Sequence, residues 1–197
     1  IGTIATRVAN SSSERVLILT GDRDMLQLVS DKVHVLMPIV GLTKSMEFNA
    51  EKVEEKYGVK PSQFIDYKAL IGDQSDGYPG VTGIGPKTAA SLLRQYDTFE
   101  SLYERIGELP EKVGTKLAID AEQAALAKKL ATIVTDAPMQ FDIELCEVRK
   151  FDLLALRKEF ENLEFNSLIV RLDAKFPDIK KALEKKAQED DGQMELL

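Results

Sequence analysis

The sequence is poor in the side chains on which much enzyme chemistry depends. Its 197 residues include one cysteine, Cys146, and one histidine, His34. A single cysteine excludes a disulfide within the chain and is consistent with a reducing compartment. Because the lone histidine lies in a strand-like stretch, the sequence offers no Ser/His/Asp or Cys/His arrangement for nucleophilic catalysis.

Long apolar runs and an excess of positive charge are absent as well. Without a run long enough to span a membrane, or a signal peptide, we expect a cytoplasmic chain with no membrane partner. The formal net charge of -7 argues against a protein that coats nucleic acid, so any such contact has to be local. The chain opens at Ile1 within a helix-like pattern, and we therefore expect a fragment whose function depends on further residues.

The hydrophobic residues, 44% of the total, are sufficient for a buried core, and their spacing changes along the chain. The N-terminal stretch predicts helix, strand, helix and strand, and the apolar run 16–19 is typical of a strand buried on both faces of a parallel sheet. From Asn49 onward the spacing is helical, apart from weak strand alternation at 139–148. The charged stretch 180–197 predicts a solvated linker.

Two pairs of aspartates lie in turn-like positions. Asp22 and Asp24 follow the first predicted strand at its carboxyl end, where open α/β sheets bind ligands. Asp73 and Asp76 are spaced so that both carboxylates can lie on one side of a helix or turn. Either pair alone is equally well explained by turn and helix-cap chemistry. Together the four acids indicate a two-metal site for phosphodiester hydrolysis, with Mg²⁺ as the preferred ion.

The stretch V-T-G-I-G-P-K-T-A after the second pair matches the helix-hairpin-helix pattern. Gly83 and Gly85 permit a tight turn, and Ile84 anchors it in the core. The first helical turn then directs backbone N–H groups at an anion, and Lys87 adds a positive charge there. We therefore expect residues 83–85, Lys87 and Thr88 to bind a DNA phosphate without reading sequence; the alternative is a structural turn.

Three ordered stretches carry a family resemblance: TGDRDMLQLV, YKALIGDQSDGYPGVTGIGPKTAASLL and LEFNSLIVRL. From about residue 1 to 171 the sequence resembles the 5′→3′ exonuclease (flap endonuclease) domain of bacterial DNA polymerase I. The resemblance implies an α/β fold with a partial parallel-sheet, PIN-like nuclease core at 1–48. A mainly helical region at 49–175 follows, with the helix-hairpin-helix at 72–96, and then a charged tail at 176–197.

The resemblance also implies an activity in DNA replication and repair. The metal-site acids of the family fall on Asp22, Asp24, Asp73 and Asp76. We therefore expect a monomer that cleaves 5′-flap, nicked or branched duplex DNA with two Mg²⁺ or Mn²⁺ ions and holds a monovalent cation at the hairpin. Two departures stand out. Gly77 replaces the usual Asn, and the family's N-terminal half, which supplies further metal carboxylates, is missing, so we expect weak or no activity from these residues alone.

Other interpretations stay open. The final residues Gln193, Met194, Glu195, Leu196 and Leu197 resemble the Gln-Leu-x-Leu-Phe motif of sliding-clamp ligands, although a linker to a polymerase domain is the simpler interpretation. The alternatives to a DNA nuclease are a non-catalytic helix-hairpin-helix DNA-binding module and a related RNA-directed nuclease. The aspartates favour a nuclease over a binding module. Carboxylates repel phosphate, so they would only weaken the affinity of a protein that binds DNA without cutting it.

Overall fold

The computed structural model describes most of the chain, namely residues 1–11, 14–40, 44–147 and 152–178. The chain divides into two compact units, 1–139 and 140–197. The first unit holds the small sheet, the helices around it and all four aspartates predicted to bind metal. The boundary predicted after residue 48 stays a prediction.

The first unit begins with a helix and a three-stranded sheet: α1 (Gly2–Ser11), β1 (Val16–Leu19), a 3-10 helix (Arg23–Leu28), β2 (Val33–Val40) and β3 (Lys44–Phe48). Strands β1 and β2 are parallel, with Val16 opposite Val33. Strand β3 runs antiparallel to β2, with Phe48 opposite Val35. The predicted α/β class and parallel pair are confirmed, whereas β3 was not predicted.

Helices and one short ribbon make up the rest of this unit: α2 (Ala50–Tyr57), a 3-10 helix (Pro61–Gln63), α3 (Phe64–Ile71), β4 (Gly72–Asp73), β5 (Tyr78–Pro79), α4 (Pro86–Tyr96), α5 (Phe99–Glu104), a 3-10 helix (Ile106–Glu108), α6 (Glu111–Ile119) and α7 (Ala121–Ala131). Local sequence sets their ends. The Asn49 side chain caps α2 by accepting from Lys52 N, and Gly58 ends that helix with φ 73°. Asn49 and Gly58 thus set the start and the end of α2.

Helix α3 lies in the middle of the unit, in contact with α4 and α7. Six of its eight residues are buried, including the charged Asp66 and Lys68. A helix that is apolar on nearly every side has to be covered on every side, which explains this central place. Its C-terminal end leads directly into β4, so the packing of α3 determines where Asp73 lies.

The prediction that β1 is buried on both faces is wrong. Ile18 is buried, but Leu17 and Leu19 are 55% and 58% exposed. Successive side chains of a strand point to opposite faces, and the described residues cover only the face that carries Ile18.

The described part of the second unit contains a 3-10 helix (Glu144–Cys146) and the helices α8 (Leu153–Asn162) and α9 (Asn166–Lys175). The weak strand alternation at 139–148 predicted a strand, but the described residues 139–147 form none. No helix in the described part of the chain is both long and apolar enough to cross a membrane.

A buried ion pair fastens α3 to α5 and α7. Asp66 Oδ1 lies 2.7 Å from the Lys128 ammonium, and Asp66 Oδ2 accepts from the backbone N of Phe99 at 3.0 Å. Lys128 also pairs with Glu100, whose side chain is 62% exposed. Asp66 therefore binds Lys128 and the Phe99 N–H from a buried position, whereas Glu100 binds Lys128 from the surface.

We expect Asp66→Ala to lower the free energy of unfolding by about 1–3 kcal/mol, because it leaves the buried Phe99 N–H without an acceptor. Glu100→Gln, the matched control on the same lysine, should cost less than about 1 kcal/mol because its ion pair is exposed. Urea denaturation curves measure both. Equal losses for the two variants would contradict a special role for Asp66.

Candidate functional site

Three of the four predicted metal-site aspartates come together. Asp24 lies in the first turn of the 3-10 helix after β1, Asp73 lies in β4, and Asp76 lies in the loop between β4 and β5. One carboxylate oxygen from each lies within 4.8 Å of the others. The carboxyl end of a parallel strand and the end of α3 thus bring acids from distant parts of the sequence to one point.

Asp22 lies beside this group and not within it. Its side chain is exposed, and its Oδ1 accepts from the backbone N of Asp24 at 2.9 Å. This is the helix-cap role that the sequence left open as an alternative. The charge of Asp22 nevertheless acts on Asp24 and raises the pKa of that carboxyl. The assignment of Asp22 as a metal ligand stays a prediction.

A buried lysine, Lys68 of α3, lies between two of the acids. Its ammonium lies 2.6 Å from Asp24 Oδ1 and donates a hydrogen bond to Asp73 Oδ2. Burial by itself lowers the pKa of Lys68, but the hydrogen bonds and charges of Asp24 and Asp73 outweigh it, and the pKa is raised. Lys68 is therefore a buried basic residue whose positive form the neighbouring acids stabilise.

The two paired acids respond differently to this environment. Burial raises the pKa of Asp24 above its ordinary value, and the hydrogen bond and charge of Lys68 offset only part of that effect. Burial acts on the pKa of Asp73 in the same direction, but hydrogen bonds from Lys68 and Ser75 outweigh it and hold the pKa well below its usual range. The pKa values of the two carboxyls are thus shifted in opposite directions, upward at Asp24 and downward at Asp73.

The donor set fits a divalent metal ion. Asp24 Oδ1 is buried, and the Lys68 ammonium lies 2.6 Å from it. A buried carboxylate oxygen is costly unless a positive charge lies against it, so this position favours a cation. With oxygens of Asp73 and Asp76 close by, the group matches the carboxylate chemistry that Mg²⁺ and Mn²⁺ prefer.

The ribbon β4–β5 holds the acids by close approach of two backbones. Gly72 pairs with Pro79 and Asp73 with Tyr78. A Cβ added at Gly72 would lie against the backbone nitrogen of Gly80 and 2.7 Å from the carbonyl carbon of Pro79. Only glycine permits this approach.

Position 77 favours glycine because of its backbone conformation and not because of a close contact. A Cβ there would contact nothing within 4 Å, but its φ is 74°. Among residues with a side chain, Asn tolerates this left-handed region best. Gly77 and the family's usual Asn can therefore both adopt the conformation of the turn between Asp76 and Tyr78.

The glycine hairpin has the predicted form. Gly83 adopts φ 75°, Ile84 is buried, and Ile84 N donates to Val81 O at 3.0 Å. Gly85 precedes α4 in an extended conformation, and Pro86 occupies the first helical position. The exposed side chains of Lys87 and Thr88 lie on the first turn of α4, where backbone N–H groups have no partner within the helix.

The corner between α6 and α7 holds this hairpin in place. Thr82 N donates to Asp120 Oδ2 at 2.6 Å, and the Lys116 ammonium donates to Gly83 O at 3.0 Å. One hairpin carbonyl therefore already accepts from a positive charge of the protein. The monovalent cation expected at the hairpin stays a prediction.

Two cavities lie beside the hairpin. One of about 390 Å³ is lined by the basic residues Lys56, Lys87 and Arg94. The other, of about 500 Å³, is lined by Lys68, Asp73, Gly85 and Pro86 among others. The second cavity thus joins the acidic group to the first turn of α4, and the first provides local positive charge on an acidic chain.

Sequence reasoning missed Lys68, Lys116 and Asp120 as parts of the site. Lys68 did leave a signal, since FIDYKALI is an otherwise apolar helix that contains one Asp and one Lys. Charges in such a helix have to be paired when it is buried. Lys116 and Asp120 left none, because their partners lie more than thirty residues away in an unrelated segment.

Comparison with known proteins places this geometry among nucleases. A model described as the 5′-3′ exonuclease N-terminal resolvase-like domain matches residues 1–58, and one described as the 5′-3′ exonuclease C-terminal SAM fold matches residues 59–153. DNA polymerase I of Bacillus subtilis is 42% identical over 173 residues, which are 87% of this chain and 20% of that protein. The thermostable DNA polymerase I of Thermus filiformis is 41% identical over 170 residues, 86% of this chain and 20% of that protein.

Solved structures agree on the fold. The T5 5′-exonuclease with bound divalent metal ions (zinc) is 26% identical, with a TM-score of 0.53 over 60% of this chain and 43% of that one. The bacteriophage T5 D15 flap endonuclease, in a pseudo-enzyme-product complex with DNA and metal ions, has a TM-score of 0.57 at 23% identity, over 66% of this chain and 47% of that one. The chain spans about a fifth of the length of the curated relatives.

Proposed function

The chain belongs to the 5′-3′ exonuclease family, and from this premise we propose that it works in a structure-specific nuclease that hydrolyses DNA at 5′ ends and flaps. The observation that carries the proposal is the 500 Å³ cavity, which Asp73 of the acidic group and Gly85 of the hairpin both line. A phosphodiester backbone held at the hairpin therefore lies beside the acids. The ribbon β4–β5 sets the distance between the two, so geometry, and not base sequence, selects the bond.

Different residues would serve DNA cleavage and DNA binding. Asp24, Asp73 and Asp76 would hold Mg²⁺ or Mn²⁺, two ions in all with the help of further carboxylates. When bound, the ions supply a hydroxide at neutral pH and stabilise the leaving oxygen. The N–H groups at the start of α4, together with Lys87, bind a phosphate of the duplex.

We further propose that these 197 residues by themselves cleave DNA only weakly. We also propose that the natural protein acts as a monomer in the cytoplasm. Three carboxylates meet in the described part of the chain, and a two-metal site needs more. The resemblance places the further acids in an N-terminal half. A role in replication and repair follows from the same family relation.

The proposal predicts that the protein at its natural length cleaves a 5′-flap DNA in Mg²⁺ and stops when EDTA removes the metal. Gel assays on matched DNA and RNA flaps measure this, with the 197-residue chain run in parallel. Binding without cleavage would favour the non-catalytic helix-hairpin-helix module. Equal or faster cutting of the RNA flap would favour the RNA-directed nuclease, and robust cutting by the 197 residues would refute the weak-fragment proposal.

The sliding-clamp proposal concerns Gln193, Met194, Leu196 and Leu197, which lie outside the described residues. What supports it is the motif-like spacing behind an acidic spacer, and a tethered nuclease would gain effective concentration at nicks. It stays a prediction, as does the alternative of a linker.

A further inference from the structure

Lys68 is an unusual neighbour for a metal site, because it is itself a buried cation. The residue is 5% exposed, and its ammonium contacts Asp24 and Asp73. The ring of Tyr78 faces the same ammonium at 5.8 Å from the ring centroid. With these partners the ammonium offsets part of the negative charge of the acids without any metal ion.

A divalent ion and the Lys68 ammonium compete for the same two carboxylates, those of Asp24 and Asp73. Asp24 Oδ1 is paired with the ammonium at 2.6 Å, and Asp73 Oδ2 accepts its hydrogen bond. Mg²⁺ binds carboxylate oxygens at about 2.0–2.1 Å, so an ion on these oxygens would lie within a few ångströms of the ammonium. Two positive charges that close repel strongly in a partly buried site.

A cavity of about 500 Å³ adjoins the Lys68 ammonium. Lys68 lines it together with the charged residues Arg23 and Asp73 and with Gly85 and Pro86 before and at the start of α4. A lysine head group lies on a flexible four-carbon stem with several rotatable bonds. Rotation of this stem can carry the ammonium away from the acids and into the cavity, toward the first turn of α4.

We propose that Lys68 is the resident cation of the acidic group and that a divalent metal ion displaces its ammonium into the adjacent cavity. The inference rests on the metal site of the proposed function. It has two consequences: the acids stay folded together without metal, and metal binding is weaker than three carboxylates alone would give. The displaced charge then faces the position proposed for a DNA phosphate.

The first test is Mn²⁺ affinity, measured by isothermal titration calorimetry. Lys68→Met keeps an unbranched side chain one heavy atom shorter than lysine but removes its charge, and it should bind Mn²⁺ about tenfold or more tightly than the unaltered protein because no like charge has to move. Lys68→Arg keeps the charge and should bind no more tightly than the unaltered protein. Lys129→Met, which removes an exposed positive charge elsewhere, is the matched control and should change nothing.

Equal or weaker Mn²⁺ binding by Lys68→Met would overturn the proposal. Failure of every protein, the unaltered one included, to bind Mn²⁺ would overturn the metal site itself and this inference with it. The two failures are therefore distinguishable in one titration series.

The second test needs no variant and so does not depend on folding of Lys68→Met. An amine-reactive reagent is applied with and without Mg²⁺, and labelled lysines are located by mass spectrometry. Labelling of Lys68 should increase several-fold with Mg²⁺, while Lys128, a half-buried lysine paired with Asp66 and Glu100, should not change. Unchanged or reduced labelling of Lys68 would overturn the displacement.

Discussion

Changing Asp73 to Asn should reduce Mg²⁺-dependent cleavage of a 5′-flap DNA by about 10³-fold in the protein at its natural length, since metal ions contribute several kcal/mol to the transition state. Burial raises the pKa of Asp73, but hydrogen bonds from Lys68 and Ser75 outweigh it and hold that pKa well below its usual range. It also lines the cavity that leads to the hairpin. Asn keeps the size of the side chain but removes the charge that holds a divalent ion.

DNA binding separates this effect from simple unfolding. Asp73→Asn should bind the flap DNA at least as tightly as the unaltered protein, because it removes a negative charge and leaves Lys87 and the start of α4 intact. Asp31→Asn removes an exposed carboxylate outside the site and serves as the control for both assays. Near-normal cleavage by Asp73→Asn would refute the assignment of this acid to the metal.

The second large effect is expected at Gly72. Its φ of 73° and ψ of -177° lie in a region that is essentially restricted to glycine, at a strain of about 1–3 kcal/mol for other residues. The new Cβ of Gly72→Ala would also meet backbone atoms of Pro79 and Gly80, and overpacking adds about 1–3 kcal/mol. We therefore expect the free energy of unfolding to fall by about 2–6 kcal/mol.

Two other glycines serve as controls for the two causes. Gly77→Ala has a positive φ but no close contact, so it should show only a strain of about 1–2 kcal/mol. Gly107→Ala has neither feature and should be nearly neutral. Denaturant midpoints measure all three variants, and a Gly72→Ala loss no larger than that of Gly77→Ala would show that the backbone approach is unimportant.

The hairpin and the helix ends could be predicted because their causes are local. A glycine with positive φ, a proline in the first helical position and an Asn cap each act within a few residues of themselves. Gly83, Pro86 and Asn49 therefore have in the structure the roles that their spacing predicts. The family relation rests on the same short stretches of sequence.

The exposure of β1 could not be predicted in this way. The run Val16–Leu19 is apolar throughout, so its sequence does not show which face of the strand other elements cover. That depends on which elements pack against each side, and those elements are remote in sequence. Leu17 and Leu19 were consequently expected inside and lie outside.

By itself, the sequence determined which segments carry the acids and the hairpin, and from these we propose binding of a cation and of a phosphate. It could do so because residue type and short spacing define what a segment can bind. Only the tertiary structure decided which groups share the site. Asp24 and Asp73 meet because β1 and α3 end at the same place, and Lys68 joins them because α3 is buried on nearly every side. Contacts between segments far apart in the chain carry no local signature, so the resident lysine became visible only in the fold.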